Sequence, residues 1–145
     1  MKIILANEVL APSVNFLGTI KLKGKDSRAR TKLVNLLTNQ VRELQESEQA
    51  LIDEYAKTDE NGKQEKAENG NVKIDPNRAK EYLAEHSKLM LEQVEIEGGT
   101  YVNHLDDCQK ILENYDGELE GQNAQAYDAL LDAFEAAQKS EKAGK

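Results

Sequence analysis

DSRARTKLVNLLTNQVRELQESEQALIDEYAK, residues 26–57, is the stretch whose reading decides the fold. Val34, Leu37, Val41, Leu44, Leu51 and Tyr55 return at alternating steps of three and four, with Glu48 as the one polar interruption. Such steps keep side chains on one face of a helix. Sustained over several heptads, they predict a long helix packed lengthwise against another helix.

The partner follows in the sequence. Asp75 suits an N-cap, Pro76 suits the first helical position, and Ala79, Tyr82, His86, Leu89 and Gln93 repeat the same steps, flanked by Leu83 and Met90. Two helices adjacent in sequence pack antiparallel. Tyr55 is therefore expected near Ala79 or Tyr82, and Glu48 opposite His86 as a polar pair that fixes register. Between the helices, residues 58–75 are polar and hold Asn61-Gly62 and Asn69-Gly70. Asn-Gly favours tight turns, so a solvated tip is expected, with 66–68 pairing with 71–73.

The two helices differ in length. At 1.5 Å per residue, residues 28–57 span about 45 Å and residues 76–93 about 27 Å. The base of the first helix, with Leu33, Val34, Leu36 and Leu37, needs other cover. Strands at Lys2–Leu5, Thr19–Lys23 and Val94–Glu97 are expected there, with a short helix that starts at Pro12 and carries Val14, Phe16 and Leu17. Asp26 or Ser27 is expected to cap the long helix. Asn103 is expected to cap a helix with Leu105, Cys108, Ile111, Leu112 and Tyr115, ended at Gly117, and a last helix runs over 123–139. Residues 140–145 read as a flexible tail, and no internal repeat is evident. The expected class is mainly α with a small β component, a long antiparallel helical hairpin projecting from a small α+β head, within a single domain of 1–145. In that scheme 1–25 hold strands and the short helix, 26–93 the hairpin, and 94–139 a strand and two helices.

Composition fits this picture. Charged residues are 32% of the 145, aromatics 5%, and Trp is absent, which suits exposed helices better than a β-sandwich. No apolar run approaches the roughly 20 residues that span a bilayer, and Asn7 and Glu8 cut short the apolar start of the chain. The lone Cys108 cannot form an internal disulfide, which fits a reducing compartment. The net charge of −8 is uneven: eight Lys/Arg against two acids through Arg42 give +6, and eleven against twenty-five thereafter give −14. Lys21, Lys23, Lys25, Arg28, Arg30 and Lys32 form the basic segment and oppose the dipole at the start of the long helix. Three explanations stand open: neutralisation by the acidic half of the same chain, an acidic surface on a partner protein, or phosphate and nucleic acid. No aromatics are interleaved for base stacking.

Candidates for chemistry are few. His86 sits on the seam and reads as the register partner of Glu48. His104 and Cys108, one helical turn apart, lack the further ligands a zinc site needs. Asp59-Glu60-Asn61-Gly62 lacks the alternating oxygens of a calcium loop. Asp106 and Asp107 fit a helix N-terminus. With no Gly-rich phosphate loop and no nucleophile elbow, the expectation is a protein without catalytic residues, metal or cofactor.

Asn15-Phe16-Leu17, Leu22-Lys23-Gly24-Lys25, Ser27-Arg28, Arg30-Thr31-Lys32-Leu33, Glu54-Tyr55, Asp59-Glu60 and Gly62 resemble domain-of-unknown-function family 1617, small phage and prophage proteins of Gram-positive bacteria. Glu92, Val94-Glu95-Ile96, Asn114-Tyr115 and Tyr127-Asp128 extend the resemblance over most of the chain. It implies a phage gene product in the cytoplasm of a bacterial host and transfers no activity. The leading expectation is a non-enzymatic protein that binds a phage or host protein through the hairpin and its basic base, as an assembly accessory or structural component. An acidic inhibitor of a host defence nuclease, of the anti-restriction or anti-CRISPR type, is the alternative, since carboxylates can stand in for phosphates. DNA binding through 21–32 is weaker still, and neither nucleic acid nor membrane is the expected partner. A homodimer is open through Leu33, Leu36 and Ile52.

Overall fold

A computed structural model describes residues 1–98 and 104–144. In chain order the elements are β1 (Lys2–Ala6), α1 (Asn7–Thr19), α2 (Gly24–Tyr55), α3 (Ala79–Leu91), β2 (Gln93–Glu97), α4 (His104–Glu113) and α5 (Gly121–Ala143). They form two compact units, 1–41 with 93–145, and 42–92, with α2 contributing to both.

In the first unit β1 and β2 pair antiparallel. Alternation decides their faces: Ile3 and Leu5 point inward opposite Ile96 and Val94, while Lys2 lies opposite Glu97 and closes a 3.1 Å ion pair. The inward residues join α1, α4, α5 and the start of α2 around a core that includes Leu10, Phe16, Leu33, Leu37, Leu105, Leu112, Leu130 and Phe134. Ala29, Leu33 and Leu37, four residues apart, are the stripe that α2 buries here. Leu33 is thus fully buried and is accounted for by the core of its own chain. In α5, buried Ala126, Ala133 and Ala137 are small enough to bring the helix close to its neighbours.

Several expectations for this unit are corrected. Thr19–Lys23 is not a strand: Thr19 ends α1 and residues 20–23 connect it to α2, with buried Ile20 as their anchor. A five-residue alternation needs a partner strand, and β1 is paired with β2. Helix α1 starts at Asn7 and holds Pro12 inside it, since Asn7, Leu10, Ser13 and Phe16 are buried at a spacing of three. The donor Pro12 lacks would have served the carbonyl of Glu8, an exposed residue that water can reach. The tail through Ala143 is helical: α5 runs on past 139, and Glu141 takes the amino group of Met1 in a 3.2 Å ion pair. Asp26 and Ser27 lie inside α2, where the carbonyl of Lys23 accepts from both backbone amides. Asp26 complements the dipole from the first turn. The expected cap Asn103 lies outside the described residues.

In the second unit α2 and α3 pack antiparallel in the expected register. The Tyr55 and Tyr82 rings meet edge to face with centroids 6.0 Å apart, the Tyr55 hydroxyl donates to Glu81 at 3.0 Å, and Arg78 lies over the Tyr55 ring at 4.2 Å. Asp75 caps the chain's re-entry by accepting from the amide of Asn77, with Pro76 opening a 3-10 turn that leads into α3.

The tip carries an internal repeat that sequence periodicity at helical spacing does not reveal. Units 57–64, 65–72 and 73–80 place Asp59, Ala67 and Asp75 in equivalent positions, followed by Asn61, Asn69 and Asn77. Each unit closes the same backbone hydrogen bond across three residues, with the amides of Gly62, Gly70 and Arg78 donating to the carbonyls of Asp59, Ala67 and Asp75 at 3.0, 2.9 and 2.9 Å, although Arg78, at φ −121°, ends a 3-10 turn where the two glycines take positive φ. The units then close on one another. Lys57 donates to Lys73, Lys73 to Glu65 and Glu65 back to Lys57, all backbone to backbone at 2.8–2.9 Å. Bridges Thr58–Gln64, Lys66–Val72 and Ala56–Ile74 complete a quasi-threefold ring between the end of α2 and the start of α3. Gly62 and Gly70 hold φ of 79° and 85° at their turns, a conformation L residues resist. The expected pairing of 66–68 with 71–73 is one third of this ring.

Candidate functional site

The basic segment lies in the first unit and divides into distinct roles. Arg30 is structural. Its Nη1 donates to the carbonyls of Leu17 and Ile20, each at 2.7 Å, so a guanidinium sits at the negative end of α1, sharing the Leu17 carbonyl with the amide of Ile20 and taking the carbonyl of Ile20 just past the helix. On the opposite side of α2, Lys25, Arg28 and Lys32 fall at steps of three and four and share one face. Arg28 and Lys32 are engaged within the chain. Lys21 and Lys23, on the connection, and Lys25, in the first turn of α2, are exposed, and no ion pair joins any of the three to an acid among the described residues.

Lys21 and Lys25 line an open cleft of about 540 Å³ whose far wall comes from α4 and the turn after it. That wall brings Lys110, Asp107 and Asp116 opposite Lys21, Lys25 and Asp26. The charges balance in number, so the cleft is not a simple anion funnel. Its shape is set by packing beneath it. The Tyr115 ring packs edge-on against Phe16 at 5.6 Å and beside Tyr127 at 5.7 Å, while the Tyr127 hydroxyl donates to the carbonyl of Leu112 at 2.8 Å. Gly117 must remain glycine-sized, because a Cβ there would run into the Tyr115 ring and hydroxyl.

Cys108 is closed to chemistry. It is buried, and its thiol donates to the carbonyl of Ala29 at 3.4 Å. Burial first, and Asp107 second, push it up to about 12, so the thiolate that a nucleophile or metal ligand requires is suppressed. Among the described residues no three His, Cys, Asp or Glu side chains gather as a metal-binding group. Glu48 and His86 do meet, with Nε2 3.3 Å from Oε2.

Sequence reasoning finds the lysines and misses the opposite wall. Asp107 reads only as an acid suited to a helix N-terminus, Lys110 carries no signal of its own, and nothing in spacing joins residue 21 to residue 116. The repeat in the tip has a readable signal in its Asn-Gly pairs eight residues apart.

Residues 1–141 match the family described as "Protein of unknown function (DUF1617)". The chain belongs to this family. The match takes in both units, including the basic segment, both cleft walls and the repeat ring. No match was found among curated proteins or among solved structures. No helix among the described residues is long and apolar enough to cross a membrane.

Proposed function

We propose that this chain is a non-enzymatic phage or prophage protein that works in the cytoplasm of a bacterial host by binding another protein, as an assembly accessory or structural component. The observation that supports the reading is the set of ammonium groups on Lys21, Lys23 and Lys25, without ion pairs among the described residues, beside a cleft of mixed charge. Arg30 ties the connection to the end of α1, so these groups stand on an ordered base and a partner need not order it on binding. The test is capture of a stoichiometric partner by a tagged copy in phage-infected host cells, repeated with Lys21→Glu, Lys23→Glu and Lys25→Glu combined. The partner is expected to be lost from the triple variant while its circular dichroism is unchanged. Retention of the partner rejects this surface, and absence of any stoichiometric partner rejects the reading.

A second reading, an acidic inhibitor of a host defence nuclease, draws on the −14 net charge after Arg42. It predicts a steep loss of nuclease binding with salt and displacement by duplex DNA, neither of which the first reading requires. Direct DNA binding is the weakest of the three, because Arg30 is committed to backbone carbonyls; a gel shift unchanged by Arg28→Ala and Lys23→Ala would remove it.

A further inference from the structure

Helix α3 has two apolar flanks, and α2 covers only one. Tyr82, His86 and Leu89 face α2 and are partly buried, whereas Leu83 and Leu91 are 63% and 62% exposed. Leu83 and Leu91 are eight residues apart, a little over two turns, so they line one side of the helix. Between them lie exposed Ala84 and Ser87, both small, and partly buried Met90.

We propose that this outer flank of α3 is a self-association surface on which two copies of the chain pair antiparallel about a two-fold axis at Ser87. The pattern reads alike from both ends. An isologous interface requires that residue i meet residue j while j meets i; an axis at 87 sets Leu83 on the partner's Leu91 and Ala84 on the partner's Met90, a small side chain against a long one. Ser87 meets its own copy at the centre, where a small residue lets the helix axes approach closely. Charge agrees with the antiparallel sense. Lys80, exposed in the first turn of α3 and without an ion pair among the described residues, falls beside the C-terminal end of the partner's α3. There Glu92 and the negative pole of the helix dipole are gathered. Lys88 is satisfied within its own chain by Glu85 at 3.0 Å.

Sedimentation equilibrium of the full chain over a wide concentration range, together with cysteine cross-linking, tests this. The wild type is expected to dimerise, and Leu83→Asp to weaken the dimer about a hundredfold, since the two-fold axis places this leucine in both of the interface's leucine–leucine pairs. Leu83 is exposed, so circular dichroism should be unchanged. Ser87→Cys should oxidise to a disulfide-linked dimer, and Gln45→Cys, exposed on α2, should not; Cys108 is buried and silent in both. A monomer at every concentration overturns the proposal, as does Leu83→Asp with undiminished association. Cross-linking through Gln45→Cys as readily as through Ser87→Cys overturns the two-fold axis on which it stands.

Discussion

Glu48 on α2 and His86 on α3 meet side chain to side chain in the middle of an otherwise apolar seam, with Oε2 3.3 Å from Nε2. Both are about one third exposed, so water screens the pair and its net contribution is small. What it supplies is register: a slip of one helical turn would set each polar group against a hydrocarbon. Replacing both by leucine, Glu48→Leu with His86→Leu, should stabilise the chain by about 1 kcal/mol, a few degrees in Tm. Thermal unfolding followed by circular dichroism reads this directly, and a fall in Tm would show that the pair is worth more than the packing that replaces it.

Arg30 separates structure from surface within the basic segment. Arg30→Ala removes two charge-assisted hydrogen bonds to the end of α1 and should cost about 2 kcal/mol, seen as a lower urea midpoint at unchanged slope. Lys21→Ala, Lys23→Ala and Lys25→Ala should each stay within about 0.5 kcal/mol of the wild type. Equal losses at all four positions would mean that the lysines too are held within the chain.

The legible parts of this fold are those where one element decides its own pattern. The seam of α2, the Asp75-Pro76 entry to α3 and the strands at Lys2–Leu5 and Val94–Glu97 all follow from period and capping. Misreadings arise where tertiary context outweighs a local signal. Thr19–Lys23 alternates like a strand, yet it is a connection anchored by Ile20, and Pro12 sits inside α1 because a stripe of buried residues on either side of it outweighs one lost hydrogen bond. The cleft is illegible for a different reason: its walls, around residues 21–26 and 107–117, are brought together only by the core beneath them. The ring needs a comparison at a spacing of eight, where two of three equivalent turn positions carry Asp and one carries Ala.

Cys108 should give stability a signature at alkaline pH. In the unfolded chain the thiol titrates near its ordinary 9.0, whereas burial holds it up to about 12 in the folded protein. Between these values the unfolded state has lost a proton that the native state keeps, so stability falls as pH rises from about 9 toward 12. The contribution is fully present below pH 9. Cys108→Ala should flatten the decline relative to wild type by up to about 1.4 kcal/mol per pH unit in that window, a difference that cancels the titration of lysine and tyrosine common to both. Measured by urea unfolding at a series of pH values, parallel curves for the two proteins would show that the thiol is more exposed to water than its packing indicates.

The ring at the tip makes a prediction about cooperativity. Each of its three units is bonded to the next through the amides of Lys57, Glu65 and Lys73, so loosening one turn should loosen all. Gly70, with φ of 85° and open space where a Cβ would point, permits a local test: Gly70→Ala strains only the backbone, by about 1 kcal/mol. Protection of the three ring amides against hydrogen exchange should then drop together by roughly fivefold, including at Lys57 and Lys73, which lie outside the altered turn. A loss confined to Ala67, whose amide bonds to the carbonyl of Asn71 within that turn, would mean three independent turns that happen to share a sequence pattern. Joint loss would mean that the eight-residue repeat folds as one closed unit, which ties the end of α2 to the start of α3 more firmly than a polar loop of this length can.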